Sequence, residues 1–322
     1  MVSADGHGKY GELASSICVE EIQKTINISN IDKILNNAHT LLEYVFQSIQ
    51  KEIKTQFLKK CGDSEKQLLL CGGTTLTIVL IVNDTIYCAN VGDSDALMCI
   101  QEPTNISDTL ECVLNGNHSA ENEHEWRRIR DVKSDLSNSK LPFLNFQYES
   151  LKGIQFSTNI FELNDNDTLT SNKELVIEQN LSYFKNVKKE LASMVSIPNI
   201  RTKLAMTRSL GDFHLKPYGV SCDPEIKTYS IGEFFDKKTS TKDNDILCIV
   251  LGSDGIWDCL AHNHCSKFVF FHNCIEALRN DSNNGSQRVC ESFLSQIKTI
   301  GLKKFGLSRD NMSMSLVYIQ KK

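Results

Sequence analysis

Apolar residues recur at three- and four-residue spacing from Ile31 to Phe57, through Ile34, Leu35, Ala38, Leu41, Leu42, Val45, Phe46, Ile49 and Ile53. Such spacing lays one apolar stripe along a helix, so residues 31–58 read as a single long amphipathic helix packed on something flat. Residues 10–26 read as a shorter helix before it. From Cys71 the pattern changes to β-branched runs over 74–82, 85–91 and 96–100. Asn83 and Asp84 separate the first two, and both residue types tolerate the left-handed backbone of a tight turn, which predicts a hairpin. The run TLTIVLIV is almost continuously apolar, as in a strand covered on both faces. Helices therefore belong outside sheets. Further strand-like runs at 203–206 and 245–251, a helix at 286–300 and a last strand at 312–319 complete the ordered elements.

Residues 130–200 follow neither period. They are rich in Asn, with Ser-Asn-Ser and Asn-Asp-Asn-Asp runs, and read as a low-complexity surface insertion carrying one helix near 183–195. At 322 residues the chain has room for two domains of ~150 residues. The motifs below reduce that to one.

Charge narrows the class. Lys and Arg number 35 against 40 Asp and Glu, a net charge of −5, which argues against a general nucleic-acid binder. With 40% hydrophobic and 23% charged residues, a folded core is expected. Twelve Cys without a CxxC pair or finger spacing read as free thiols in a reducing compartment, and Cys71, Cys88, Cys248 and Cys259 as small core hydrophobes. No signal peptide precedes Asp5, and no window approaches the ~18–20 apolar residues of a spanning helix. A soluble cytoplasmic and/or nuclear protein is expected, with no nucleic-acid or membrane partner and monomer as the default state.

Three Asp-centred turns adjoin strands: Asp5-Gly6-His7-Gly8, Asp254-Gly255 after ILCIVLGS, and Asp310-Asn311 before MSMSLVYI. An acid at the end of a buried strand is held on rigid backbone, and a following Gly lets another atom come close. Converging, such acids would make a hard-cation site for Mg²⁺ or Mn²⁺. Singly, each is equally a turn residue bonding its own backbone. No Cys-x5-Arg phosphate loop is present, which counts against a cysteine nucleophile.

The ordered series DGHG, CGGTTLTIVLI, CANVGDSDALM, LAMTRSLGDFHLK, DPEI, LGSDGIWDCL and SRDNMSMSLVYI, from Asp5 to Ile319, resembles the metal-dependent Ser/Thr protein phosphatases of the protein phosphatase 2C type. The resemblance implies one α+β catalytic domain over 1–322, a four-layer αββα sandwich of two antiparallel sheets flanked by helices, with a binuclear metal centre. It implies that Asp5 bridges two Mg²⁺ or Mn²⁺ ions, that Gly6 offers its carbonyl to one, that Asp254 and Asp310 bind the other, and that Asp93 helps with a weaker third. Two such ions can share a water, lower its pKa and aim it at phosphorus, so no protein nucleophile is required. The substrates would be phosphoserine and phosphothreonine in proteins. His7 matches a histidine that protonates the leaving alkoxide, a task suited to a pKa near 6.5, or else orients a metal-bound water.

Around these, Asp212 reads as an architectural or outer-shell acid, and Arg208 as pairing with an interior acid. His118 and 125–129 match the segment between the core hairpins, with Asn117 where Asp is usual. His262 and His264 read as exposed or capping residues at a helix start. Lys9 stands where a third Gly is usual, and Asp95 where Arg commonly follows Gly-Asp-Ser. The family's strands upstream of DGHG, with a phosphate-binding Arg and a Glu-Asp pair, have no counterpart before Asp5. The sandwich is therefore expected to be N-terminally truncated and the second ion weakly held. An enzyme, a phosphatase-like binding or regulatory protein with impaired catalysis, and a structural metal binder all remain as readings.

Overall fold

The computed structural model describes residues 1–28, 31–61, 68, 70–101, 109–132, 143–149, 155–178, 191–197, 203–237, 245–270, 285–306 and 310–321. Two four-stranded antiparallel sheets form its centre. The first runs, edge to edge, Val2–Ser3, Leu76–Val82, Thr85–Val91 and Glu225–Ser230; the second runs Met314–Gln320, Ile246–Gly252, Asp95–Gln101 and Thr109–Val113.

The apolar runs are continuous because both faces of these strands are covered. In Ile246–Gly252, Leu247, Ile249 and Leu251 face the first sheet, where they meet Val79, Ile86 and Cys88. The alternate residues Cys248 and Val250 pack with Trp257, Val269 and Phe293 beneath the helices His262–Val269 and Gly285–Phe305. Period-two alternation thus feeds two separate cores from one strand. On the far side, Leu76, Ile78, Ala89 and Val91 pack against Phe46, Ile49, Ile53 and Phe57. Those four belong to the helix Ile31–Lys60, which lies beside Gly11–Ile28. The layer order is helix, sheet, sheet, helix.

Two local expectations change. The long helix is not uninterrupted: its backbone leaves helical geometry at Asn37 (φ −141°), where two consecutive Asn offer side chains that compete for backbone hydrogen bonds. The run 74–82 is not one strand either. Gly73–Thr74 pairs with Gly6–His7 and Leu210–Gly211 in a separate three-stranded ribbon, and Leu76–Val82 joins the first sheet. Thr75 is the crossing point: its N–H donates to Asp5 O at 2.9 Å, and its Oγ1 accepts from Asp5 N at 3.0 Å.

Within 130–200, Phe143–Glu149, Gln155–Asn159 and Ala192–Ser196 form a four-stranded sheet with Lys203–Leu204. A hairpin of Phe161–Leu163 and Leu169–Ser171 and a helix Lys173–Glu178 accompany it. Of the helix expected at 183–195, residues 183–190 lie outside the described residues and Ala192–Ser196 is strand. Buried Leu144, Phe146, Ile160 and Val195 pack with Trp126 and Met206 from the flanking chain. The apolar residues are spaced for a small sheet, and high Asn content masked them.

Candidate active site

Four acids lie within charge range of one another at one end of the sandwich. Asp5 follows the edge strand Val2–Ser3, Asp93 lies in the turn between the two sheets, Asp254 heads the short helix Asp254–Trp257 after a buried strand, and Asp310 precedes the last strand. Burial, then the charges of Asp93, Asp5, Asp258 and Asp310, push the Asp254 carboxyl well above the usual carboxylate range. Asp5 is raised as well, by burial and then by Asp310 and Asp93. Asp254 Oδ1 is buried with no hydrogen-bond partner. Gly255 lets this turn seat: a Cβ there would lie 2.1 Å from the Asn311 carbonyl oxygen. Asp310 and Gly6 are on the exposed rim. Ala4, Asp5, Gly6, Glu12, Ser253 and Asn311 line a cleft of about 310 Å³ beside these acids.

This donor set suits a hard divalent cation in kind, since its carboxylates repel one another and one buried oxygen has no partner. Among the described residues, no three His, Cys, Asp or Glu side chains stand together in ligand geometry. The residues fit such an ion by chemistry.

His7 sits on the strand Gly6–His7, and its Nε2 lies 2.8 Å from Asp212 Oδ2. Facing a carboxylate, Nε2 carries the hydrogen and Nδ1 is left for chemistry. Burial alone would lower the His7 pKa; the Asp212 bond and charge, with Asp93 and Asp5 beyond it, raise it instead. Asp212 would be raised by burial, but His7, Lys216 and the Ser209 hydroxyl hold it below the usual range. The backbone of Asp212 is left-handed (φ 42°), a conformation Asp tolerates better than most side chains. Gly73 leaves room for it: a Cβ there would stand 2.4 Å from Asp212 Oδ2. Asp212 therefore bonds directly to His7 rather than serving only as architecture.

Arg208 pairs with an interior acid, Glu125, Nη2 to Oε1 at 2.6 Å. Glu125 also receives Arg128 at 2.7 Å and the Thr207 hydroxyl at 2.7 Å. His118 is fully buried; its Nδ1 accepts from Gly92 N at 3.1 Å, next to Asp93, and its Nε2 lies 3.1 Å from Glu225 Oε2. His262 lies 2.9 Å from Asp95 Oδ2 and stacks on Trp257, whereas His264 is exposed. Sequence reasoning missed Ser209, Lys216 and Glu125 as parts of this construction, because their partners lie on distant segments and no local spacing marks them.

The family model described as protein phosphatase 2C matches residues 3–147 and 188–295, most of the chain. The chain belongs to this family. The unmatched stretch 148–187 falls within the Asn-rich region. A probable protein phosphatase 2C of Arabidopsis thaliana is 24% identical over 98% of this chain and 69% of its own length. A rice relative of the same name, from Oryza sativa subsp. japonica, is 24% identical over 82% of this chain and 54% of its own. The chain spans about half to two thirds of the length of such curated relatives. Among solved structures, the serine-threonine phosphatase 2C from Toxoplasma gondii aligns over 99% of this chain and 83% of its own, with TM-score 0.51 and 13% identity. A C. elegans sex determining protein aligns over 98% of this chain and 55% of its own, with TM-score 0.53 and 17% identity. At these identities the structures establish the phosphatase 2C fold alone.

Proposed function

We propose that the chain hydrolyses phosphoserine and phosphothreonine in proteins, with Mg²⁺ or Mn²⁺ held by Asp5, Asp254, Asp310 and Asp93 and the Gly6 carbonyl. When bound, such ions supply a water of lowered pKa as nucleophile. The chain's own residues do the rest. Asp212 fixes the His7 ring through Nε2, and His7 in its charged form gives the Nδ1 proton to the departing serine or threonine oxygen. The observation that carries this reading is the buried, unpartnered Asp254 oxygen within charge range of Asp5, Asp93 and Asp310, the first two of which also act on His7. The domain is read as one unit over 1–322 with an insertion at about 130–200, acting as a monomer on phosphoprotein partners in the cytoplasm and/or nucleus.

The test is Mn²⁺-dependent release of phosphate from a phosphothreonine peptide, compared with Asp254→Asn. Turnover that requires Mn²⁺ and Asp254 supports the reading, and turnover that survives Asp254→Asn sinks it. A second reading, a phosphoprotein-binding member with impaired catalysis, is favoured by the absence of any three ligating side chains in joint geometry among the described residues. It predicts phosphopeptide binding without turnover at saturating Mn²⁺.

A further inference from the structure

Lys216, half-buried, opens the short turn Lys216–Tyr218. Burial pushes its amine down to about 8, against the pull of the Asp212, Cys222 and Asp223 charges. Its Nζ donates to the main-chain oxygen of Ser209 and, at 3.3 Å, to Ser209 Oγ. Ser209 is fully buried, and its Oγ donates to Asp212 Oδ2 at 2.7 Å. The same Oδ2 accepts from His7 Nε2 at 2.8 Å.

The direction of these bonds follows from what each group can do. An ammonium has donors only, so Ser209 Oγ must accept from Lys216 and turn its own hydrogen toward Asp212. A carboxylate oxygen has acceptors only, so it must take the hydrogen of Nε2 and cannot take that of Nδ1. The acceptor-only carboxylate of Asp212 sets the direction of both bonds made to it, and Lys216 holds the Ser209 hydroxyl where it can reach that carboxylate.

We propose that Lys216 is a positioning residue for His7, acting through Ser209 and Asp212 to hold the imidazole ring in place with Nδ1 turned to the substrate side. This rests on the reading of His7 as proton donor. Lys216 touches no reacting atom. Without it the Ser209 hydroxyl is free to rotate, Asp212 loses one of its two fixed donors, and the carboxylate that anchors the ring is held less firmly.

The experiment uses the full chain with ¹⁵N-labelled histidine and four variants: Lys216→Met, Lys216→Arg, Ser209→Ala and the Lys216→Met/Ser209→Ala double. In metal-free protein at one neutral pH, the His7 ring nitrogens should give sharp, single signals in the native chain and Lys216→Arg, and shifted or broadened ones in Lys216→Met and Ser209→Ala. With Mn²⁺ and a phosphothreonine peptide, kcat should fall roughly tenfold in each of these two variants with KM within about twofold. The double should fall no further than either single, because both break one chain. Circular dichroism identifies any variant that fails to fold, and Ser209→Ala, a small deletion, keeps the test open if Lys216→Met does so. Unchanged His7 ring signals in folded Lys216→Met and Ser209→Ala, or losses that multiply in the double, would overturn the proposal. If the native chain turns over no phosphopeptide while the ring signals shift as stated, the positioning role stands and the phosphatase reading is what fails.

Discussion

Asp254 carries most of the repulsion among the four clustered acids, since it is the one whose buried oxygen has no hydrogen-bond partner. Replacing it with Asn keeps the shape and removes the carboxyl that its acidic neighbours disfavour. Asp254→Asn should therefore stabilise the metal-free protein by about 1 kcal/mol, read as a higher urea midpoint, while phosphatase activity is lost. A site built for a cation is strained without one, and that combination of gain and loss is its signature. Asp5, Asp254 and Asp310 were legible in the sequence because each is a lone acid beside Gly or Asn at the end of an apolar run. The bond between His7 and Asp212 was not, since 205 positions separate them and only the folded ribbon brings them together.

At the scale of elements, two buried hydrogen-bonded groups hold the loops that carry the acids. His118 ties Gly92, and so the turn bearing Asp93, to Glu225 on the first sheet's edge strand. The His118 bond, opposed by burial and helped by Lys227, brings the Glu225 carboxyl from 4.5 down to about 2. A depressed carboxyl stabilises the fold fully above pH 4.5, and that contribution is lost as pH falls through about 2. The gap in urea stability between the native chain and Glu225→Gln should thus be widest at neutral pH and close as the solution is acidified through this window. Glu125 is the second tie, gripping Arg128 and Arg208 with 3% of its side chain exposed. Glu125→Gln leaves two guanidinium groups without their charge partner and should cost about 3–5 kcal/mol by urea unfolding. The long strands and helices behind these ties were readable because burial on one or both faces repeats along them. Two-residue strands such as Gly73–Thr74 and Gly6–His7 carry no period at all, so the ribbon that holds His7 could not be seen before folding.

Across the whole molecule, the region between residues 130 and 200 is tied into the fold rather than hung upon it. Leu144, Phe146 and Val195 from its sheet share one core with Trp126, Met206 and Leu215, and the last two bracket Ser209 and Asp212 in sequence. Phe146→Ala should cost about 3–5 kcal/mol, measured by urea unfolding, and should broaden the His7 ring signals because the 206–215 segment loses its backing. Composition made this stretch look like decoration, since Asn-rich turns outweigh a few apolar residues in any average over 70 positions.

The four acids come from both sheets: Asp5 from the first, Asp254 and Asp310 from the second, and Asp93 from the turn between them. A shared cation at that end would act as a clip across the sandwich, so metal concentration would become a thermodynamic variable of folding itself. Ion in hundredfold excess over its dissociation constant would add about 2.7 kcal/mol to stability. The melting temperature should climb with the logarithm of Mn²⁺ and fall back on chelation, and Asp254→Asn should flatten that climb. On this account a cell short of divalent metal would hold not only an idle protein but a looser one, more open to unfolding and proteolysis.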